Sequence, residues 1–188
     1  MNLADTGRGP TPPGDEDRQR AWIAFVKVLL VLPGALEAQL LRDYDLTLLG
    51  YMILARLADT PEETLRMSQI ATMANGSLPR TSQAVGRLEE RGWVRRTVIS
   101  GRGQGRRFTT ASLTEAGRAQ LKRATPEHTA LVQRLVIDPA GSEFGTLGAV
   151  AQRIVEALGL PAGPPAAGRS GPPPAGDGAG SAPLRARS

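Results

Sequence analysis

Between Gly101 and Arg107 the chain reads GRGQGRR, with three glycines and three arginines in seven positions. Three uses suit such a stretch: a loop that cradles a nucleotide phosphate, a hairpin tip that grips DNA, or a plain exposed turn. A nucleotide loop needs its glycines between a strand and a helix. Here a β-like run, Trp93 to Ile99, precedes the loop, and a second, Phe108 to Leu113, follows it. No Gly-Lys-Ser/Thr element accompanies the glycines. The loop therefore reads as the tip of a hairpin. Its glycines let the backbone approach phosphates, and Arg102, Arg106 and Arg107 neutralise them.

The residues just upstream carry the same chemistry. SLPRTSQAVGRLEE, from Ser77, reads as a helix capped by Ser77, with Pro79 in its first turn, where a missing N–H does no harm. Near its start and on its outer face it offers Ser77, Arg80, Thr81, Ser82 and Gln83, with Arg87 one turn further along. Arg and Gln can make paired hydrogen bonds to guanine and adenine. From Ser77 to Arg107 there are eight arginines against two glutamates, a net charge of +6, while the whole chain carries +5. The positive excess is thus concentrated on one helix and one hairpin, which points to an anionic partner.

Composition excludes several rivals. There is no cysteine, so disulfides, thiol catalysis and Cys-ligated zinc are out. The only histidine, His128, cannot build a multi-His metal site within one chain and reads as a structural residue with its hydrogen bonds satisfied. The carboxylate pairs Glu62-Glu63, Asp43/Asp45 and Glu89-Glu90 fall in loop-like or surface-like contexts. No catalytic residue, metal ligand or cofactor is expected. Seven aromatics offer no stacking platform for RNA.

The elements that must position these residues can be read from periodicity. Residues 1–18 form a polar, disordered tail. Residues 161–188, rich in Pro, Gly and Ala, cannot bury a core and form a second disordered tail. A first helix runs from about Arg18 to Arg42, kinked or split at Pro33-Gly34. Trp22, Phe25, Val26, Leu29, Leu32, Leu36 and Leu40 recur at helical spacing and read as one buried face. The segment is as long as a membrane span, but Lys27, Pro33, Glu37 and Gln39 argue for a soluble helix in a cytoplasmic protein. Thr47 caps a second helix with Tyr51, Leu54 and Leu57 inward. Leu65 to Met67 is extended, Ser68 caps a short helix to Met73, and Ala74 to Gly76 is a turn. The helix from Ser77 ends at Gly92. After the hairpin, Thr114 caps a long helix to about Val136, bent at Pro126. Asp138 to Gly141 is a loop, and Ser142 caps a last helix with a stripe of Leu147, Val150, Ala151, Ile154 and Leu158.

A short helix, a turn, an arginine-bearing helix and a two-stranded hairpin, in that order, make a winged helix-turn-helix. The fold class is mainly α with a small β-hairpin and a helical dimerisation region. At this point the chain resembles the MarR family of bacterial transcriptional regulators. The resemblance rests on YDLTLLGYMILARLAD, LRMSQIA, RLEERGWVRR, ASLTEAGR and TPEHTALVQRLVIDP, and covers about residues 20–160. It implies a DNA-binding lobe at about 46–113 and dimerisation helices at about 19–42 and 114–158. It also implies a homodimer on pseudo-palindromic double-stranded DNA, acting as a repressor. A small aromatic or lipophilic effector would enter between the two regions, near Trp22, Phe25 and Tyr51. The alternative is a constitutive DNA-binding or architectural protein with no effector. One departure stands out. The Asp-x-Arg element of the family's wing reads Gly105-Arg106-Arg107 here, in a loop longer by about three residues, so the wing lacks the carboxylate that orients its arginine.

Overall fold

A computed structural model of the chain describes residues 14–74, 78–100 and 107–160. Helix α1 spans Asp15–Tyr44, with Asp15, Glu16 and Asp17 in its first turn, where the helix dipole favours negative charge. It starts inside the segment expected to be a tail. It also continues through Pro33, which removes one ladder N–H without splitting the helix. Its end is set by Asp45, in the left-handed region at φ 51°. Helix α2, Leu48–Ala58, begins as its sequence predicts: the Thr47 hydroxyl accepts from the Gly50 N–H at 3.0 Å.

Strand β1, Thr64–Arg66, leads into helix α3, Met67–Met73. The cap of α3 differs from expectation. Arg66 occupies the N-cap position, and its backbone N–H donates to Gln69 Oε1 at 2.8 Å, so Ser68 lies within the helix. Helix α4, Leu78–Glu90, follows, and Ser77 lies outside the described residues. Gly92, at φ 70°, turns the chain out of α4 into strand β2, Val94–Ser100. Strand β3, Arg107–Leu113, returns antiparallel to it, from Ser100 opposite Arg107 to Val94 opposite Leu113.

The hairpin is not two-stranded only. β1 pairs with β3, Leu65 opposite Ala111 and Arg66 opposite Thr110, giving a sheet in the order β1-β3-β2. A three-residue strand carries too little periodicity to be read as a sheet member; the β3 edge completes it.

Helix α5, Glu115–Val132, is capped by Thr114, whose hydroxyl accepts from the Gly117 N–H at 3.0 Å and donates to the Gly92 carbonyl at 2.7 Å. That one side chain ties the exit of α4 to the start of α5. Gly117 is needed there, because a Cβ would sit 2.0 Å from the Trp93 carbonyl oxygen. Helical structure then persists where a loop is expected. A π-turn over Gln133–Ile137 and a short helix α6, Asp138–Ala140, precede a 3-10 turn over Gly141–Glu143. Pro139 sits in the first turn of α6 and removes one N–H from the continuing helical run without ending it. Helix α7, Phe144–Ala157, starts without a side-chain cap from Ser142.

The core lies among α2, α3, α4, the sheet and the adjoining ends of α1 and α5. Leu40, Leu46, Ile53, Leu54, Leu57, Ile70, Val85 and Val94 are fully buried in it. The N-terminal half of α1 and all of α7 lie outside it. Trp22 is 62% exposed, Leu29 54%, Leu147 44% and Ile154 38%. In α1 only Gln39 and Leu40 are therefore buried, with Val26, Leu32 and Leu36 of the expected face partly covered.

Candidate nucleic-acid interface

Helix α4 has two distinct faces. Thr81, Ala84, Val85 and Leu88 point into the core. Arg80, Gln83 and Arg87 are exposed on the other side, and Ser82 is half-buried at the boundary. One expected base-reading residue is thus corrected. Thr81 is fully buried, and its hydroxyl finds no hydrogen-bond partner among the described residues, so its side chain belongs to the packing face. At helical spacing Thr81 precedes Val85 by one turn and Leu88 by two, and that periodicity was the signal for an inward position.

The wing stands beside this helix. Arg107 opens β3 and is exposed, while Arg102 and Arg106 lie outside the described residues. The wing is anchored to α4 by Glu89. Its carboxylate accepts from the Arg96 backbone N–H at 3.0 Å and pairs with the Arg96 guanidinium. These bonds, the backbone N–H first, hold the Glu89 carboxyl below the usual carboxylate range. A second ion pair, Arg91 to Asp45, joins the end of α4 to the corner between α1 and α2. Arg91 also lies 5.7 Å from the Trp93 ring centroid. Arg91 and Arg96 are therefore engaged by carboxylates, whereas Arg80, Arg87 and Arg107 form no ion pair among the described residues.

Between the wing and the start of α4 runs a groove of about 350 Å³, lined by Arg66, Ser68, Ser82, Arg96, Arg107 and Thr109 with the apolar Met67, Leu78 and Phe108. Sequence reasoning passed over Arg66, Ser68 and Arg96. The extended Leu65 to Met67 run was the available signal, but only its pairing with β3 places Arg66 at the wing.

The residues expected at an effector cleft form two separate ring contacts in the chain. Trp22 and Phe25 pack on each other, ring centroids 6.3 Å apart, on the exposed half of α1. Tyr51 stacks on His128, ring centroids 4.4 Å apart, and its hydroxyl donates to Thr125 Oγ1 at 3.4 Å. Phe25 precedes Leu40 on α1 by fifteen residues, about 22 Å of helix. His128 is buried, and burial pushes its pKa below the ordinary imidazole value; its Nδ1 has no partner among the described residues, contrary to a fully satisfied structural histidine.

A helix-turn-helix of α3 and α4, a wing of β2 and β3, and long flanking helices define a winged helix-turn-helix protein of the transcription-regulator type. The MarR family model matches residues 44–107, which span α2 to the start of β3. Sco3205 of Streptomyces coelicolor, a MarR family transcriptional regulator solved in complex with DNA, is 32% identical. That match covers 81% of this chain and 93% of that one, with a TM-score of 0.70. AbsC, a MarR family regulator of the same organism, is 31% identical over 79% of this chain and 98% of that one, TM-score 0.68. BldR of Sulfolobus solfataricus, at 20% identity and TM-score 0.62 over 76% of this chain and 96% of that one, shares the fold. Comparison with curated protein sequences yields no match. The chain belongs to the MarR family of transcriptional regulators.

Proposed function

We propose that the chain is a homodimeric, cytoplasmic repressor that binds a pseudo-palindromic operator in double-stranded DNA. In this reading α4 enters the major groove. Arg80, Ser82 and Gln83, with Ser77 before them, read bases, while Arg87 and the wing arginines Arg102, Arg106 and Arg107 contact the backbone. The observation that carries the reading is the split of α4 into a packed face and an exposed Arg80/Gln83/Arg87 face beside the wing. The DNA complex of Sco3205 supports it. The lobe from about 46 to 113 binds DNA. The helices from Asp15 to about 42 and from 114 to 158 form the dimer, for which the exposed apolar stripes of α1 and α7 supply the surface.

The test is duplex affinity across a salt series. Wild type should bind as a dimer with a steep salt dependence. Arg80→Ala should cost roughly 1–3 kcal/mol on the specific site and less on random duplex. Equal losses on both would demote Arg80 to a backbone contact, and a monomeric wild type at micromolar concentration would reject the dimer.

Modulation by a small aromatic or lipophilic effector is the finer part of this proposal. A ligand changes DNA affinity only if it binds the two conformations differently. In the single chain Trp22 packs on Phe25, and Tyr51 packs on His128. Their separation in one chain favours a second reading, a regulator that binds DNA without an effector. A panel of phenolic and hydrophobic compounds decides between them, through the melting temperature and the DNA affinity.

A further inference from the structure

We propose that the groove between α3 and the wing is a seat for one backbone phosphate of the duplex, and that Arg66, held against Phe108, grips it. The inference rests on the DNA-binding reading above and assigns a residue to it that neither α4 nor the wing tip contains. Register places Arg66 opposite Thr110, so its side chain emerges on the same face of the sheet as Phe108, two residues along β3. The guanidinium lies 4.3 Å from the Phe108 ring centroid. The backbone at Arg66 is held by its bond to Gln69 Oε1. A guanidinium resting on an aromatic ring loses less freedom on binding than one on a free stem.

The surroundings suit an anion. Arg107 lines the same groove, as do the hydroxyl-bearing Ser68 and Ser82, and no acidic residue is among its lining residues. Neither Arg66 nor Arg107 forms an ion pair among the described residues, whereas Arg96 is engaged by Glu89 and forms a fixed wall. A phosphodiester presents two non-bridging oxygens that share one negative charge, which a planar guanidinium meets with two parallel N–H bonds and a hydroxyl can share. The position fits as well. When α4 lies in the major groove and the wing reaches toward the adjacent minor groove, the strand backbone that separates those grooves passes between the two elements. This groove lies between them.

The experiment compares wild type with Arg66→Ala, Arg66→Lys and Phe108→Leu on specific and random duplexes across a salt series. Melting curves establish that each variant is folded. Arg66→Ala should weaken both duplexes alike, by about tenfold, and lower the salt slope by about 0.9. Arg66→Lys, which keeps the charge and loses the planar fork, and Phe108→Leu, which loosens it, should lose less affinity and keep the slope. A neutral methylphosphonate at the backbone position between the two grooves should weaken wild type and have no further effect on Arg66→Ala. If wild type binds with a steep salt slope and Arg66→Ala retains both affinity and slope, the seat is refuted and the DNA-binding reading stands. If wild type binds no duplex, both fall. A rise in melting temperature with inorganic phosphate alone would overturn the duplex assignment in favour of a free-anion site.

Discussion

The lobe around α2 to β3 and the helices that flank it treat their apolar residues in opposite ways. The lobe closes on itself: Ile53, Leu54, Leu57, Ile70, Val85 and Val94 are all fully buried within the single chain. Helix α1 contains a stretch of mean hydropathy 1.8 with no buried residue in it, and α7 leaves Phe144, Leu147, Val150 and Ile154 exposed. By length and composition α1 could even cross a membrane. The difference teaches that apolar periodicity alone does not bury a face: the lobe removes its apolar surface from water, whereas the helices leave theirs open. In the proposed homodimer a second copy of the chain covers the helices.

The sharpest way to break this comparison is a charge on the exposed stripe. Ile154→Asp is expected to abolish dimerisation, since an uncompensated charge buried at an interface costs about 3–5 kcal/mol. The melting temperature should lose its dependence on protein concentration. Hydrogen exchange should still find the lobe protected. Global loss of protection would show that the lobe is not a finished unit, and an unchanged dimer would show that α7 is not at the interface.

Gly117→Ala probes the lobe instead. The new methyl would meet the Trp93 carbonyl, which is backbone and cannot swing aside, so a loss of roughly 1–3 kcal/mol or more is expected. Unlike the change at Ile154, it should lower stability equally at all protein concentrations. A melting temperature within a degree of wild type would contradict the close approach of α5 to the α4–β2 turn.

The smallest effect lies at the seam of the two regions, where His128 of α5 packs on Tyr51 of α2. Burial depresses the folded-state pKa of His128 below 6.5, so the unfolded chain binds a proton more readily. The stability this neutral ring contributes is complete above pH 6.5. It is lost as pH falls through the lower, folded-state pKa. His128→Phe should flatten that part of the profile. Since the chain has no other histidine, a drop unchanged in the variant would assign it to another group.

Much of the lobe was legible from residue order because its signals are local. Thr47 and Thr114 cap where a hydroxyl precedes a helical run, Gly92 ends α4, and the 3.6-residue period of Val85 and Leu88 gives the helix its inner face. Arg80, Gln83 and Arg87 were legible as an exposed basic face for the same reason. Other features depended on more than local signals. β1 is a strand only because β3 supplies its hydrogen bonds, and that pairing carries Arg66 to Phe108, forty-two positions away in the chain. Thr81 looked polar and available, yet the packing of α4 against the core took it inside. Pro33 and Pro139 looked like breaks, yet helical turns continue through or around them, since one missing N–H is a local cost that neighbouring turns outweigh. Periodicity likewise marked one apolar face on α1 and another on α7, but it cannot say whether such a face packs within its own chain. That depends on where the other elements lie, and here most of both faces is left open.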